Sequence, residues 1–193
     1  MTVQYESATL AETTGISRVS SKIRIVVVSS LDERQMAMAV RAAVYLGKPG
    51  WTYAHTFDAN DHCATQILAL VDGEPAGTVR VRWFAQAARI ERIAILPQFR
   101  SLAVLNQLAH AALRLCRKKG YEKACGLTYP ELLKFWGRHG GAACGEPIAS
   151  EYGTVVPIVA TPRHWPDIQS LDFDEMGSAE FEWRAYAWEG AGV

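Results

Sequence analysis

The chain has 193 residues, 49% of them hydrophobic and 21% charged, with Lys and Arg numbering 20 and Asp and Glu 20 for a formal net charge of zero. That size and balance suit one ordinary globular domain and exclude both a disordered tail protein and a small disulfide-stapled scaffold. With no basic excess to meet a phosphate backbone, nucleic acid is not an expected partner.

Residues 1–21 are rich in Ser and Thr and lack a sustained apolar period, so they are expected to form a flexible leader. They show neither a secretory signal nor a transit pattern, which makes the cytoplasm the expected compartment. The β-branched run from Ile23 to Val28 reads as a buried strand. It is far shorter than the roughly 20 residues of a membrane span, so none is expected. Ser30-Leu31-Asp32-Glu33 has the form of a capping box. The helix it opens should present Met36, Val40 and Val44 on one face and stop at Gly47 and Pro49. A polar loop through Trp51, Asp58 and Asp61 is expected next.

Thr65 to Val71 and Ala76 to Phe84 flank Asp72-Gly73, which suits a hairpin turn with positive φ, so they should pair as antiparallel strands. Arg89 to Leu96 forms another strand, closed by Pro97. Residues 102–119 then carry Leu102, Leu105, Ala109, Ala112 and Cys116 at helical intervals, ending in Arg117-Lys118-Lys119 and Gly120. Glu122 to Thr128 is a strand, a short helix runs from Pro130 to Arg138, Thr154 to Ala160 is a late strand, and 181–188 alternates as a last one. This order argues for a mixed sheet with helices on both faces. Cys63, Cys116, Cys125 and Cys144 stand far apart, and His55, His62, His110, His139 and His164 show no ligand or triad spacing. The cysteines are read as reduced packing residues, the histidines as structural or exposed, and no metal is expected.

Three stretches in this order resemble the GNAT N-acyltransferase superfamily over about residues 23–160. They are the hairpin segment from Asp72 to Arg80, the segment from Ile90 through Pro97 to Arg100, and Phe135-Trp136-Gly137-Arg138-His139-Gly140. The resemblance implies an α/β (α+β) fold whose mixed, mostly antiparallel sheet has a central splay. It divides the chain into the leader 1–21, a GNAT-like domain 22–160 and a C-terminal extension 161–193 that packs on the domain or adds a strand. It implies transfer of an acyl group, acetyl first, from acetyl-CoA or another acyl-CoA to an amine by direct attack. The acyl-pantetheine arm would lie along Ile93, Ala94 and Ile95. The pyrophosphate would meet the turn of Arg100, Ser101, Leu102, Ala103 and Val104 at a helix N-terminus. Family members usually carry glycine where this chain has Ser101, Ala103 and Leu105.

Arg41, Tyr45, Trp51, Asp58, Asp61 and Arg80 further resemble the N-terminal pattern of acyl-homoserine-lactone synthases and N-acyl amino acid synthases. That likeness implies an acyl-phosphopantetheine donor on acyl carrier protein, which lacks the adenosine diphosphate end and tolerates an altered phosphate turn. The loop from Trp51 to Asp58 is shorter than in those synthases.

By strand alternation Glu91 shares a face with Ile93 and Ile95, so a raised pKa and a general-base role are expected, a salt bridge to Arg80, Arg89 or Arg92 being the alternative. The tyrosine that family members use to protonate the departing thiolate is replaced by Phe135-Trp136, and Tyr129 is the candidate for that role. Arg41, Trp51, Asp58, Asp61 and Arg80 are candidates for the amine site, against a loop with turn-forming aspartates and a solvated strand face. The aromatic tail, Trp165 to Trp188, fits an interface as well as a strand, so a homodimer joins carrier protein as a candidate partner. A module that keeps the fold without the chemistry, binding an acyl ligand or another protein, is the reading from a different class.

Overall fold

The computed structural model describes residues 22–150 and 153–165. The leader 1–21, the strand expected at 181–188 and most of the extension 161–193 lie outside the described residues.

β1 (Ile23–Val27) leads into α1 (Leu31–Tyr45) through the expected capping box. Ser30 Oγ accepts from the Glu33 amide at 3.2 Å, and Glu33 Oε2 accepts from the Ser30 amide at 3.1 Å. These satisfy two of the donors that a helix start leaves orphaned. The segment expected as a plain loop contains a short helix, α2 (Tyr53–Thr56), and a 3-10 turn over Ala59–His62. Thr52 and Asp58 cap these two pieces, a side-chain role that alternation of apolar residues does not reveal.

β2 (Thr65–Val71) and β3 (Glu74–Trp83) form the expected hairpin, with Asp72 at φ 51° and Gly73 at φ 92° in the turn. Both turn residues sit in the left-handed region that Asp and Gly tolerate best. β4 (Ala88–Ile95) follows, then α3 (Leu102–Lys118), β5 (Ala124–Thr128) and α4 (Leu133–Arg138). Two short strands, β6 (Gly141–Ala143) and β7 (Ile148–Ser150), were not expected; three residues are too few to show a period. Both pair with the late strand, β8 (Gly153–Ala160).

The sheet order is β1-β2-β3-β4-β5-β8-β6, and β7 pairs β8 off that path. Every pair is antiparallel except β4 with β5. One face packs on α3 through Leu108, Ala112, Leu113 and Leu115 against Ile67, Val79, Val81 and Ile90. The other packs on α1, where Val40, Val44 and Tyr45 meet Ala94. Helices therefore cover both faces, as expected for this order. No helix among the described residues is long and apolar enough to cross a membrane.

Candidate active site

The parallel pair holds the site. β4 and β5 are in register only at Ala88 with Ala124 and Arg89 with Cys125; beyond Arg89 the ladder ends and the strands diverge. Gly126 marks the fork, since a Cβ there would come within 2.8 Å of the Ile90 carbonyl oxygen. The opening is a cleft of about 340 Å3. Residues 90–93 line one side and 126–129 the other, with Trp136 and Ile158 also lining it. Unpaired main-chain groups along β4 can here be met by a ligand.

β4 carries a bulge. Gly77 and Thr78 oppose Ile95 and Ala94, but Arg80 opposes Glu91, which leaves one residue on β3 against two, Arg92 and Ile93, on β4. Arg92 adopts φ 56°. Such a conformation in a bulky non-glycine residue costs on the order of 1–3 kcal/mol and is held by its surroundings. Tyr45 supplies part of that hold, donating its hydroxyl to the Ile93 carbonyl at 2.7 Å. Burial pushes the Tyr45 pKa up to about 12, so the hydroxyl stays a donor. Trp51 stacks on Tyr45 with centroids 4.6 Å apart, and Lys48 Nζ lies 5.2 Å and 5.4 Å from the two rings.

The bulge corrects the expected facing of Glu91. Ile93 and Ile95 pack on the α3 core, whereas Glu91 points to the α1 side, where guanidinium groups replace the expected apolar surroundings. Its Oε1 accepts from Arg80 Nε at 3.0 Å and lies 3.7 Å from Arg82 Nη1; its Oε2 lies 3.1 Å from Arg89 Nε. A two-residue alternation cannot register one extra residue, which is why sequence periodicity put Glu91 on the wrong face.

Arg80 was expected on a solvated strand face or at a ligand; the structure gives it 1% exposure at the centre of an ion cluster. Its Nη1 reaches Asp58 Oδ1 and Asp61 Oδ1 at 2.8 Å each, and its Nη2 reaches Asp58 Oδ2 at 3.0 Å. Arg41 Nη2 reaches Asp61 Oδ2 at 2.6 Å, with its guanidinium 5.0 Å from the Phe57 ring centroid. The hydrogen bonds from Arg80 hold Asp58 far below the usual carboxylate range. Burial works against the Asp61 charge, and the bonds from Arg41 and Arg80 outweigh it. Arg41, Asp58, Asp61 and Arg80 are thus brought together as the sequence pattern suggested, but they stand behind the cleft wall while Trp51 and Glu91 line it.

At the other end of β4, a 3-10 turn over Pro97–Phe99 leads to Ser101, the N-cap of α3. Ser101 Oγ accepts the Val104 amide at 3.2 Å, so one amide that the resemblance assigned to pyrophosphate already has a partner. The Leu102 side chain is 64% exposed beside it. Arg100 Nε donates to the Ile95 carbonyl at 3.2 Å.

Tyr129 and Trp136 both line the cleft. The α4 segment that carries Trp136 also holds a histidine contact that sequence spacing missed: His110 and His139 pack edge to face, 4.9 Å apart, from α3 and the end of α4. Residues 29 apart in a chain show no local signal of such a pair. Burial lowers both pKa values, helped by Arg114 at His110 and by His110 and Arg138 at His139. Between the ordinary value of 6.5 and the lowered ones, the unfolded chain binds more protons than the folded one. Stability therefore falls as pH drops below about 6.5. The urea midpoint is expected to be lower at pH 5.5 than at pH 7.5 in the wild type and nearly level in a His110→Gln, His139→Gln double variant. Equal slopes in the two proteins would assign the decline to other groups.

The family model described as the Acetyltransferase (GNAT) family matches residues 33–140. A Bacillus subtilis (strain 168) protein named provisionally as an acetyltransferase is 30% identical over 96 residues, or 48% of this chain; the match spans 65% of that relative, less than two thirds of its length. Among solved structures, an acyl-CoA N-acyltransferase from Pseudomonas aeruginosa superposes with a TM-score of 0.64 at 17% identity, over 74% of this chain and all of the other. FeeM, an N-acyl amino acid synthase from uncultured soil microbes, does so at 0.61 and 13% identity, over 79% of this chain and all of its own. At these identities the structural likenesses establish the fold. The family match covers more than half of the sequence and falls on the bulged strand, the splay and the capped turn, and it places the chain in the GNAT acetyltransferase family.

Proposed function

We propose that the protein is an N-acyltransferase in which an amine attacks an acyl thioester directly, without a covalent acyl-enzyme. The splay of β4 from β5 carries this reading, because it offers unpaired main-chain groups to a pantetheine arm along Ile93, Ala94 and Ile95. A main-chain N–H near the bulge would polarise the thioester carbonyl as the oxyanion develops. Glu91 would take the proton from the incoming ammonium directly or through a water; its Oε2 meets Arg89, while Oε1 is shared between Arg80 and Arg82. Tyr129, on the cleft wall, would return a proton to the departing thiolate. Lys48, Trp51 and Arg92 border the amine side. Burial, with help from Arg100, lowers the Lys48 pKa. The test is intact-mass screening of amine pools with several acyl thioesters. A new acylated amine supports the reading, and no product with any donor favours a binding module.

A second reading, an N-acyl amino acid or homoserine-lactone-type synthase fed by acyl carrier protein, is supported by the joint cluster of Arg41, Asp58, Asp61 and Arg80 behind the Trp51 wall. Its donor bears on the turn before α3. That turn fits pantetheine better than pyrophosphate: the Ser101 cap takes the Val104 amide, and Ser101, Ala103 and Leu105 put side chains where glycines would leave room. Acyl-phosphopantetheine is expected to bind within tenfold of the matched acyl-CoA in calorimetry. Each charge-assisted amide contact is worth roughly 1.5–3 kcal/mol, so a working phosphate turn would separate the donors further. A hundredfold preference for acyl-CoA would remove the support for a carrier-protein donor.

A further inference from the structure

The cleft is deeper than an acetyl group requires. From Ile90 onward β4 and β5 stand apart, toward the bulge, Ile95 and the capped start of α3. The inner end of the cleft lies where the strands meet again, at Ala88 with Ala124 and Arg89 with Cys125. On the α3 side of that end the lining is Ile90, Leu113, Ala124, Ile158 and Ala160, while Arg89 and Cys125, the neighbouring pair in the ladder, border it from the alternate strand positions. These five belong to one apolar core cluster: Leu113 has no exposure, and the other four have 3% to 7%. β8 closes the end by pairing Ala160 with Ala124. The run from Ile93 back to Ile90 crosses the bulge, so it falls short of three regular strand steps, about 10 Å at about 3.3 Å per residue. With carbon–carbon bonds of about 1.5 Å, a zigzag chain of roughly eight carbons is the most that such a length accommodates.

A pantetheine arm running along Ile93 to Ile95 from the start of α3 would put its thioester at the bulge. The space beyond the bulge is then left to the acyl group. The five residues on the α3 side are all apolar and Arg89 is turned to Glu91, so the occupant that side fits is an alkyl chain.

We propose that this inner pocket takes a medium-length fatty acyl chain, and that Leu113, Ala124 and Ile158 set its length. The proposal rests on the acyl-thioester reading and deepens it by naming the donor class. Ala124 is the main determinant. Like Ala160, its pair on β8, it is a small residue at the closed end, and a larger side chain there fills the space that the last carbons would occupy. Ile158, on the adjoining strand, limits the pocket from the side.

The experiment is calorimetric binding of a ladder of acyl-phosphopantetheines, from acetyl through butanoyl, hexanoyl and octanoyl to dodecanoyl, to the full chain without amine. Affinity is expected to rise about fourfold for each added methylene, as burial of apolar surface requires, and to fall beyond about eight carbons. Ala124→Leu is expected to move the maximum to a shorter chain with acetyl binding unchanged, and Ile158→Ala to move it to a longer one. Melting curves identify a variant that fails to fold, and the wild-type ladder decides the question in that case. Acetyl binding with no gain from longer chains overturns the inner pocket and leaves the acyl-thioester reading standing. Absence of binding by every rung overturns both. A wild-type maximum at six to ten carbons that Ala124→Leu, folded, does not move would overturn the assignment of Ala124.

Discussion

Arg80→Ala is expected to destabilise the domain by about 3–5 kcal/mol, read from urea unfolding at pH 7, because it leaves buried carboxylates without their shared cation. Asp61 is buried, Asp58 and Glu91 are partly so, and all three lie within 3.0 Å of an Arg80 nitrogen. Such a loss is a large share of the 5–15 kcal/mol that a domain commonly has. Acid separates charge from packing. Asp58 and Asp61 titrate below their ordinary value in the folded protein, so their contribution is complete above about pH 4 and is lost as pH falls through the lowered values. In the variant the same carboxylates protonate more readily, so the gap between the two proteins should narrow on acidification. A gap of constant size would point to lost packing, and a loss under about 1 kcal/mol at pH 7 would mean that the cluster is hydrated like a surface ion pair.

The cluster also separates what the sequence showed from what it could not. The hairpin, the α1 capping box and the α3 amphipathic face rest on local chemistry, and the structure has each of them where the pattern put it. Arg41, Asp58, Asp61 and Arg80 were legible as a group through their resemblance to the synthases, and they do converge. Their burial was not legible: Arg80 sits on a strand whose alternation reads Thr78, Arg80, Arg82 as a polar face, and only the packing of α1 and of the 3-10 turn at Ala59–His62 over it turns that face inward. Bulges, short partner strands and the meeting of His110 with His139 depend on contacts far apart in the chain, for which a window of ten residues carries no signal.

That reversal of face bears most on Glu91, for which the expected effect on rate is large. Glu91→Gln should lower kcat/KM by about 10²-fold at pH values where the amine substrate is mostly protonated, the lower part of the range for lost base assistance. Gln keeps the shape and leaves a carbonyl oxygen that can accept from Arg80 Nε, 3.0 Å from Glu91 Oε1 in the wild type, so most of the strand pairing should survive. What it loses is an oxygen that can hold a proton. Arg80, Arg82 and Arg89 hold the carboxylate in place on the cleft wall. In the proposed base role a water beside Oε2 would carry the proton on to solvent near half-exposed Arg89. The deficit of Glu91→Gln should therefore shrink as pH rises past the pKa of the amine and free amine replaces ammonium. A loss that is equal at every pH, and that follows the fall in urea midpoint, would assign Glu91 to the support of Arg80 instead. Rates measured from pH 6 to pH 10 beside unfolding curves distinguish the two.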